Sequence, residues 1–225
     1  MIKFFYTPGP NPAKVAMFLE ETGMPYEVIP VDTKKGEQLK PEFLAVNPNA
    51  KLPVIVDGDA TVFDSNAILL YLAEKTGKLL PASTPATRGD LLSWLMFIAS
   101  GVGPYAGQAA FFRHQQPDQT YAINRYLYEG ERHFGILDAR LAKRRYLVGD
   151  AYSIVDIASW GWTRVLPRLI GDDAWKKFPN LKRHHDEINS RPAAARAEAI
   201  KDKYPFKAEM DEEARRFMYR HDLKP

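Results

Sequence analysis

Cysteine is absent from all 225 residues of the chain. The protein therefore has no disulfide, no thiolate metal site and no redox couple of its own, so any thiol chemistry it performs uses a sulfur supplied by a ligand. An excess of one charge is also lacking. The 31 Lys and Arg against 28 Asp and Glu leave a formal charge of +3, with no block of five like charges, so a nucleic-acid partner is not implied. Lys143, Arg144 and Arg145 read as a solvated loop or helix end. The five histidines lack metal-ligand spacing, and adjacent His184 and His185 point in different directions on a helix, which predicts an exposed helical surface and no metal. Gly101-Val102-Gly103 continues to Ala106 where a dinucleotide fingerprint needs a third glycine, and no strand precedes it. No serine lies in a nucleophile elbow, and no carboxylate pair stands out from ordinary helical surface charge. The N-terminus is charged at Lys3 and polar and proline-rich from Thr7; the expectation is neither a signal peptide nor a membrane anchor, and cytoplasmic residence.

What is present, 45% apolar and 26% charged residues, suits a globular protein with a real core. Ile2 to Tyr6 predicts a strand, stopped by Pro8-Gly9-Pro10. Asn11 before Pro12 reads as a helix N-cap, and Val15, Phe18 and Leu19 carry that helix to about Gly23. Tyr26 to Val31 alternates as a second strand, and Pro41 to Leu44 suggests a short helix. Val54 to Val56 and Thr61 to Phe63 flank the hairpin signal Asp57-Gly58-Asp59, and Ser65 is read as the cap of a helix carrying Ile68, Leu69, Leu72 and Ala73. The order is βαβαββα over residues 1–81. From 86 to 225 only helical periodicity appears, in Leu91 to Ala110, Tyr121 to Leu141, Ser153 to Val165 and Leu181 to Ile188. Ser153 with Asp156 forms a capping-box pattern. The charged tail from Lys201 is expected to pack as a last helix across the first domain.

Two segments suggest ligand chemistry. In Asn49 to Val54, Pro53 stands directly before a strand. A cis Leu52-Pro53 bond would leave the Leu52 amide and carbonyl at the sheet edge for a peptide ligand, whereas a trans proline would simply start the strand. In Phe63 to Ile68, Asp64 and Ser65 stand at a helix N-terminus. They suit a ligand carboxylate and ammonium, or they cap the helix and nothing more.

These segments, the Asn11 loop and the element order together resemble a cytosolic glutathione S-transferase over nearly the whole chain. The resemblance implies an α/β thioredoxin-like N-terminal domain, 1–81, and an all-α C-terminal domain, 86–225. It implies glutathione as co-substrate, with Leu52 and Pro53 on the cysteinyl backbone, Asp64 and Ser65 on the γ-glutamyl end, and Lys51 beside them. It also makes Ser153 and Asp156 structural. Pro10-Asn11, Gly36-Glu37-Gln38, Pro41-Glu42-Phe43, Gly103-Pro104, Gly107-Gln108 and Arg132 are similar to the bacterial nu class and the related fungal prion-regulator branch. That likeness implies that Asn11 contacts the glutathione sulfur, that Gln38 meets the glycyl end, and that Arg132 reaches the site from the second subunit of a homodimer. Gly9 replaces a threonine often found there in the class.

A thiol at the start of the Asn11 helix would meet partial positive charge and the Asn11 amide groups, which favour the nucleophilic thiolate. Asn11 is then an electrostatic stabiliser. Tyr6 is read as core, although other classes of the family use a tyrosine near this point. The partner is glutathione or its disulfide, and the acceptor is a small electrophile or disulfide, met in a pocket for which Tyr105, Phe111 and Phe112 are candidates or else core residues. A non-catalytic glutathione-binding regulatory module of the same fold is the alternative.

Overall fold

Ile2, Phe4 and Tyr6 alternate with Lys3 and Phe5, and this period of two gives the first strand two different faces. The computed structural model describes residues 1–171 and 173–219. Strand β1 (Ile2–Tyr6) is followed by helix α1 (Pro10–Thr22), β2 (Tyr26–Pro30), two 3-10 turns at Thr33–Lys35 and Glu37–Leu39, and α2 (Pro41–Leu44). Then come β3 (Val54–Asp57), β4 (Ala60–Phe63) and α3 (Ser65–Thr76). The sheet order is β2-β1-β3-β4, with β1 parallel to β2 and antiparallel to β3, and β3 antiparallel to β4. The parallel pair needs the α1 crossover, and the β3–β4 hairpin closes through Gly58 at φ 61°. Phe4, Val54 and Ile55 are fully buried. On the other face of β1, Phe5 meets Phe43 of α2 with ring centroids 5.9 Å apart, beside Val31, Val46 and Leu52. This mixed sheet is the expected thioredoxin-like arrangement.

The remaining helices are α4 (Pro85–Phe97), α5 (Gly103–Gln115), α6 (Thr120–Leu141), α7 (Ile154–Thr163), α8 (Leu166–Ile170), α9 (Ala174–Lys177), α10 (Pro179–Asn189), α11 (Pro192–Ala199) and α12 (Glu212–Met218). A π-helical turn, Ile98–Val102, joins α4 to α5 without a break. The stretch Pro85–Gln115 is long and apolar enough to cross a membrane by length and composition. Its apolar residues Leu91, Leu95, Ile98, Val102, Ala106 and Ala109 are buried inside the helical unit. The glycines near the π turn serve helix contact. A Cβ on Gly101 would stand 2.6 Å from the His133 ring, and one on Gly103 would stand 3.0 Å from Trp162.

The chain divides into two compact units, one of residues 1–71 with the segment from 195 onward, the other Leu72–Ala194. The division falls within α3. The tail packs, as far as Tyr219, on the first unit: Lys34 Nζ donates to the Ala208 carbonyl at 2.6 Å and the Lys207 amide to Asp32 Oδ2 at 2.7 Å. Phe217 lies on Gly36, whose φ of 75° and missing Cβ make room for the ring.

Three expectations need correction. Gly9, not Asn11, is the N-cap of α1, because Pro10 already has the fixed φ of a first helical residue and starts the helix one position earlier. Asp64, not Ser65, caps α3: at φ 69° its Oδ1 accepts from the Asn66 and Ala67 amides at 2.9 and 3.2 Å. His184 and His185 are not on an exposed surface. His184 is fully buried with Nε2 at 2.8 Å from Asp156 Oδ1, and His185 Nδ1 lies 2.9 Å from Thr163 Oγ1, since this part of α10 faces α7. The Ser153 capping box is present; the Ser153 amide and hydroxyl donate to Asp156 Oδ2 at 2.9 and 3.0 Å.

Candidate functional site

Pro10 and Pro12 carry no backbone N–H, so of the first three residues of α1 only Asn11 offers an amide. The sequence thus concentrates the donors of a helix start on one residue, at the end where the helix dipole is positive. The side chain adds a second donor. Ser65 Oγ donates to Asn11 Oδ1 at 3.3 Å, leaving Asn11 Nδ2 for a ligand.

Asn11 shares a cleft of about 360 Å³ with Asn47, Asn49, Lys51, Leu52, Pro53, Phe63, Asp64 and Ser65. The loop before β3 is shaped from within. Buried Asn47 donates from Nδ2 to the Lys51 carbonyl at 2.8 Å and accepts the Asn49 amide on Oδ1 at 3.1 Å. The Leu52-Pro53 bond is cis, which decides between the two readings of this proline. Asp64 is exposed while Ser65 is buried. Because Asp64 caps the helix through the Asn66 and Ala67 amides, its cap does not use the Ser65 amide. The non-glycine left-handed conformation of Asp64 is the kind of backbone outlier that concentrates at functional sites.

Behind these residues lies a group the sequence reading missed. Lys14, one turn along α1 from Asn11, is only 1% exposed. Its Nζ donates to Ser65 Oγ at 3.3 Å and to Asn66 Oδ1 at 3.2 Å. Burial pulls its ammonium down from the usual lysine range to about 7, against the opposing pull of Asp64. Every residue of α1 from Pro12 to Leu19 is buried, so the spacing of its apolar residues does not single out Lys14. Asn47, Asn49, Phe63 and Asn66 were missed as well.

Six of the eight residues expected at the site, Asn11, Lys51, Leu52, Pro53, Asp64 and Ser65, thus border one cleft. The other two do not. Gln38 is 5% exposed and donates from Nε2 to the Phe217 carbonyl at 3.3 Å, under α12. Arg132 lies in the helical unit, its Nε 2.9 Å from Glu129 Oε2. Tyr6 is core, 4% exposed, with Phe4 and Phe206 at 5.5 and 6.0 Å. Tyr105 packs on His133 at 4.8 Å, and Phe112 stacks on Tyr126 at 5.3 Å. No group of three metal-ligating side chains occurs among the described residues.

The thioredoxin-like sheet, the cis-proline loop, the capped Asp64-Ser65 helix start and the all-helical second part are together the arrangement that the resemblance to a glutathione transferase implies. Comparison with known proteins carries this to the family. Residues 1–74 match the model of the glutathione S-transferase N-terminal domain, and residues 105–192 that of its C-terminal domain. The chain belongs to the glutathione S-transferase family. It is 42% identical over 205 residues to the disulfide-bond oxidoreductase YfcG of Escherichia coli, covering 88% of this chain and 94% of that protein. Among solved structures, a glutathione transferase of Burkholderia graminis, with two glutathione molecules bound per subunit, superposes with a TM-score of 0.82 at 38% identity, covering 88% of this chain and 87% of that one. One of Pseudomonas putida, with one glutathione disulfide bound per subunit, gives 0.81 at 35% identity over 87% and 90% of the two chains.

Proposed function

We propose that the protein is a glutathione-dependent enzyme that reduces disulfides and conjugates electrophiles, holding glutathione in the cleft of Asn11, Leu52-Pro53 and Asp64-Ser65. The observation that carries this reading is that the only helix-start amide of α1, the loop edge at Leu52 and the Asp64-Ser65 turn border the same cleft. Glutathione presents three matching features: a γ-glutamyl end with one ammonium and one carboxylate, a peptide backbone, and a sulfur. The carboxylate takes the Ser65 amide and the start of α3, Asp64 takes the ammonium, and Leu52 pairs with the cysteinyl backbone. Lys51 is exposed at the rim of the cleft and suits the carboxylate at the other end of the tripeptide.

The sulfur then lies at Asn11. Its amide and Nδ2 donate to the thiolate, and the helix dipole favours the anion. A thiol so placed ionises at lower pH, which raises the nucleophilic fraction near neutrality. In disulfide reduction the bound thiolate attacks one sulfur of the acceptor, forming a mixed disulfide and expelling the other sulfur as a thiolate, which takes a proton from water. A second glutathione resolves the mixed disulfide, giving glutathione disulfide and the reduced acceptor. In conjugation the same thiolate forms a C–S bond with an electrophilic carbon, which either expels its leaving group with the bonding electron pair or, in a polarised double bond, passes the pair on to take a proton from water. The name of the YfcG relative and the glutathione disulfide in the Pseudomonas putida structure favour the disulfide reaction.

The proposal includes a homodimer, with Arg132, 45% exposed in its side chain, offered to the site of a second copy, and cytoplasmic residence with a role in detoxification. Gln38 meets the glycyl end once its bond to Phe217 is exchanged for one to the ligand. Turnover of a model disulfide coupled to glutathione reductase tests the reading: steady NADPH consumption that requires both glutathione and the protein supports it. Binding of glutathione with no turnover of any disulfide or electrophile would replace it with the regulatory-module reading.

A further inference from the structure

Lys14 has no part in the chemistry just described, yet it is the most buried charge next to it. Its ammonium donates to Ser65 Oγ, and Ser65 Oγ in turn donates to Asn11 Oδ1. A serine hydroxyl has one proton. While a charged Lys14 occupies the Ser65 oxygen as donor, that proton points away from Lys14, and the neighbouring amide must turn its oxygen, not its nitrogen, to receive it. The Asn11 side chain is thereby fixed with Oδ1 on Ser65 and Nδ2 available to a sulfur. A neutral Lys14 amine carries a lone pair and can accept the Ser65 proton instead, which removes this constraint on the Asn11 amide.

We propose that Lys14 is the positioning residue of the cleft, setting the orientation of the Asn11 amide through Ser65 and coupling glutathione binding to its own protonation. This rests on the reading that the cleft takes glutathione. From α3 the Lys14 ammonium touches Ser65 Oγ and Asn66 Oδ1, both uncharged; Asn11 on the preceding turn of α1 is uncharged; Asp64, just before α3, is a charged group that acts on it. The described part of the first unit contains no histidine to titrate in the same range. With the free ammonium at about 7, a large fraction of the protein is unprotonated at this position near neutrality. A ligand carboxylate arriving at Ser65 adds a negative charge beside Lys14 and raises its pKa, so binding takes up protons. Affinity is then highest on the acid side and falls as pH rises through the free pKa towards the liganded one.

S-methylglutathione is the probe, because its blocked sulfur adds no thiol titration. Its Kd is measured from pH 6 to pH 8.5 for the wild type, Lys14→Arg and Lys14→Met. Arginine keeps the charge over this range and serves as the reference for the ligand's own titration. The wild-type Kd relative to Lys14→Arg is expected to rise about three- to tenfold across the range, tenfold corresponding to one pKa unit. Lys14→Met should bind more weakly at pH 6 and show no such rise. Should either variant fail to fold, calorimetry of the wild type in two buffers of different ionisation enthalpy measures the same coupling, and uptake of a fraction of a proton near pH 7.5 is expected. Binding with a Kd ratio that does not change with pH, or with no proton uptake, overturns the role of Lys14 while leaving the glutathione site standing. No binding at any pH overturns both.

Discussion

Replacing Asn11 with alanine separates chemistry from structure at the centre of the site, because the residue does not cap its helix. The side chain loses two things. One is its Nδ2 donor to the sulfur: a hydrogen bond to a charged group is worth about 1.5–3 kcal/mol. At about 1.4 kcal/mol per unit this raises the pKa of bound glutathione by about 1–2 units and lowers the thiolate fraction at neutral pH by at most about 10- to 100-fold. The Asn11 backbone amide and the helix dipole survive the substitution, so part of the depression remains. The other loss is the acceptor for Ser65 Oγ, a contact between neutral groups at 3.3 Å, worth about 0.5–1.5 kcal/mol. For a chain of this size that moves the melting temperature by less than about 6 °C. The assay is the ultraviolet absorbance of the bound thiolate against pH, beside thermal melts and turnover, for wild type and Asn11→Ala. Lost turnover with an unchanged pKa of the bound thiol, or a collapse of the melting temperature, would refute the reasoning.

The buried Lys14 ammonium opposes folding, since a pKa lowered to about 7 from an unfolded value of 10.5 costs on the order of 4–5 kcal/mol while the group is charged. Its unfolded form binds the extra proton between those values, so wild-type stability should gain a component that rises with pH from 7 to 10. Lys14→Met should melt several degrees higher than wild type at pH 7 while binding glutathione less tightly; a lower melting temperature would contradict this. Asp156→Ala should destabilise by about 3–5 kcal/mol in denaturant titrations: its carboxylate accepts the Leu147 amide, the Ser153 amide and hydroxyl, and lies 2.8 Å from His184 Nε2. Burial lowers His185 to about 4. Because its unfolded form binds a proton first, this residue withdraws up to about 3 kcal/mol of stability as pH falls from 6.5 to 4, and the loss should be smaller in His185→Gln.

Elements fixed by neighbours in sequence were legible without the structure. The apolar run of Ile2 to Tyr6, the Asp57-Gly58-Asp59 turn and the Ser153–Asp156 box each act within a few residues, and each appears as expected. Features that depend on distant partners were not. His184 and His185 look polar and exposed until α7 brings Asp156 and Thr163 to them. Lys14 reads as an ordinary helix lysine because the atoms that hold it belong to residues 51 and 52 positions away. At Asn11 the cap was read too late in the chain, because Pro10, with its fixed φ, already starts the helix on Gly9. Helix α12 was harder to read because it is strongly charged and is held by contacts far away in sequence, Phe217 on Gly36 and the Phe217 carbonyl on Gln38 Nε2. The site itself was readable only as a set. Leu52-Pro53 and Asp64-Ser65 each admitted a structural reading, and their common border on one cleft is what joins them.

The central claim is that this cleft holds glutathione with its sulfur on Asn11. A crystal structure of the protein soaked with reduced glutathione tests it directly. The account predicts density along the cleft with the γ-glutamyl carboxylate on Ser65, its ammonium on Asp64, the cysteinyl backbone on Leu52, and the sulfur in contact with the Asn11 amide or Nδ2. Glutathione bound elsewhere, or bound here with its sulfur turned away from Asn11, would contradict it.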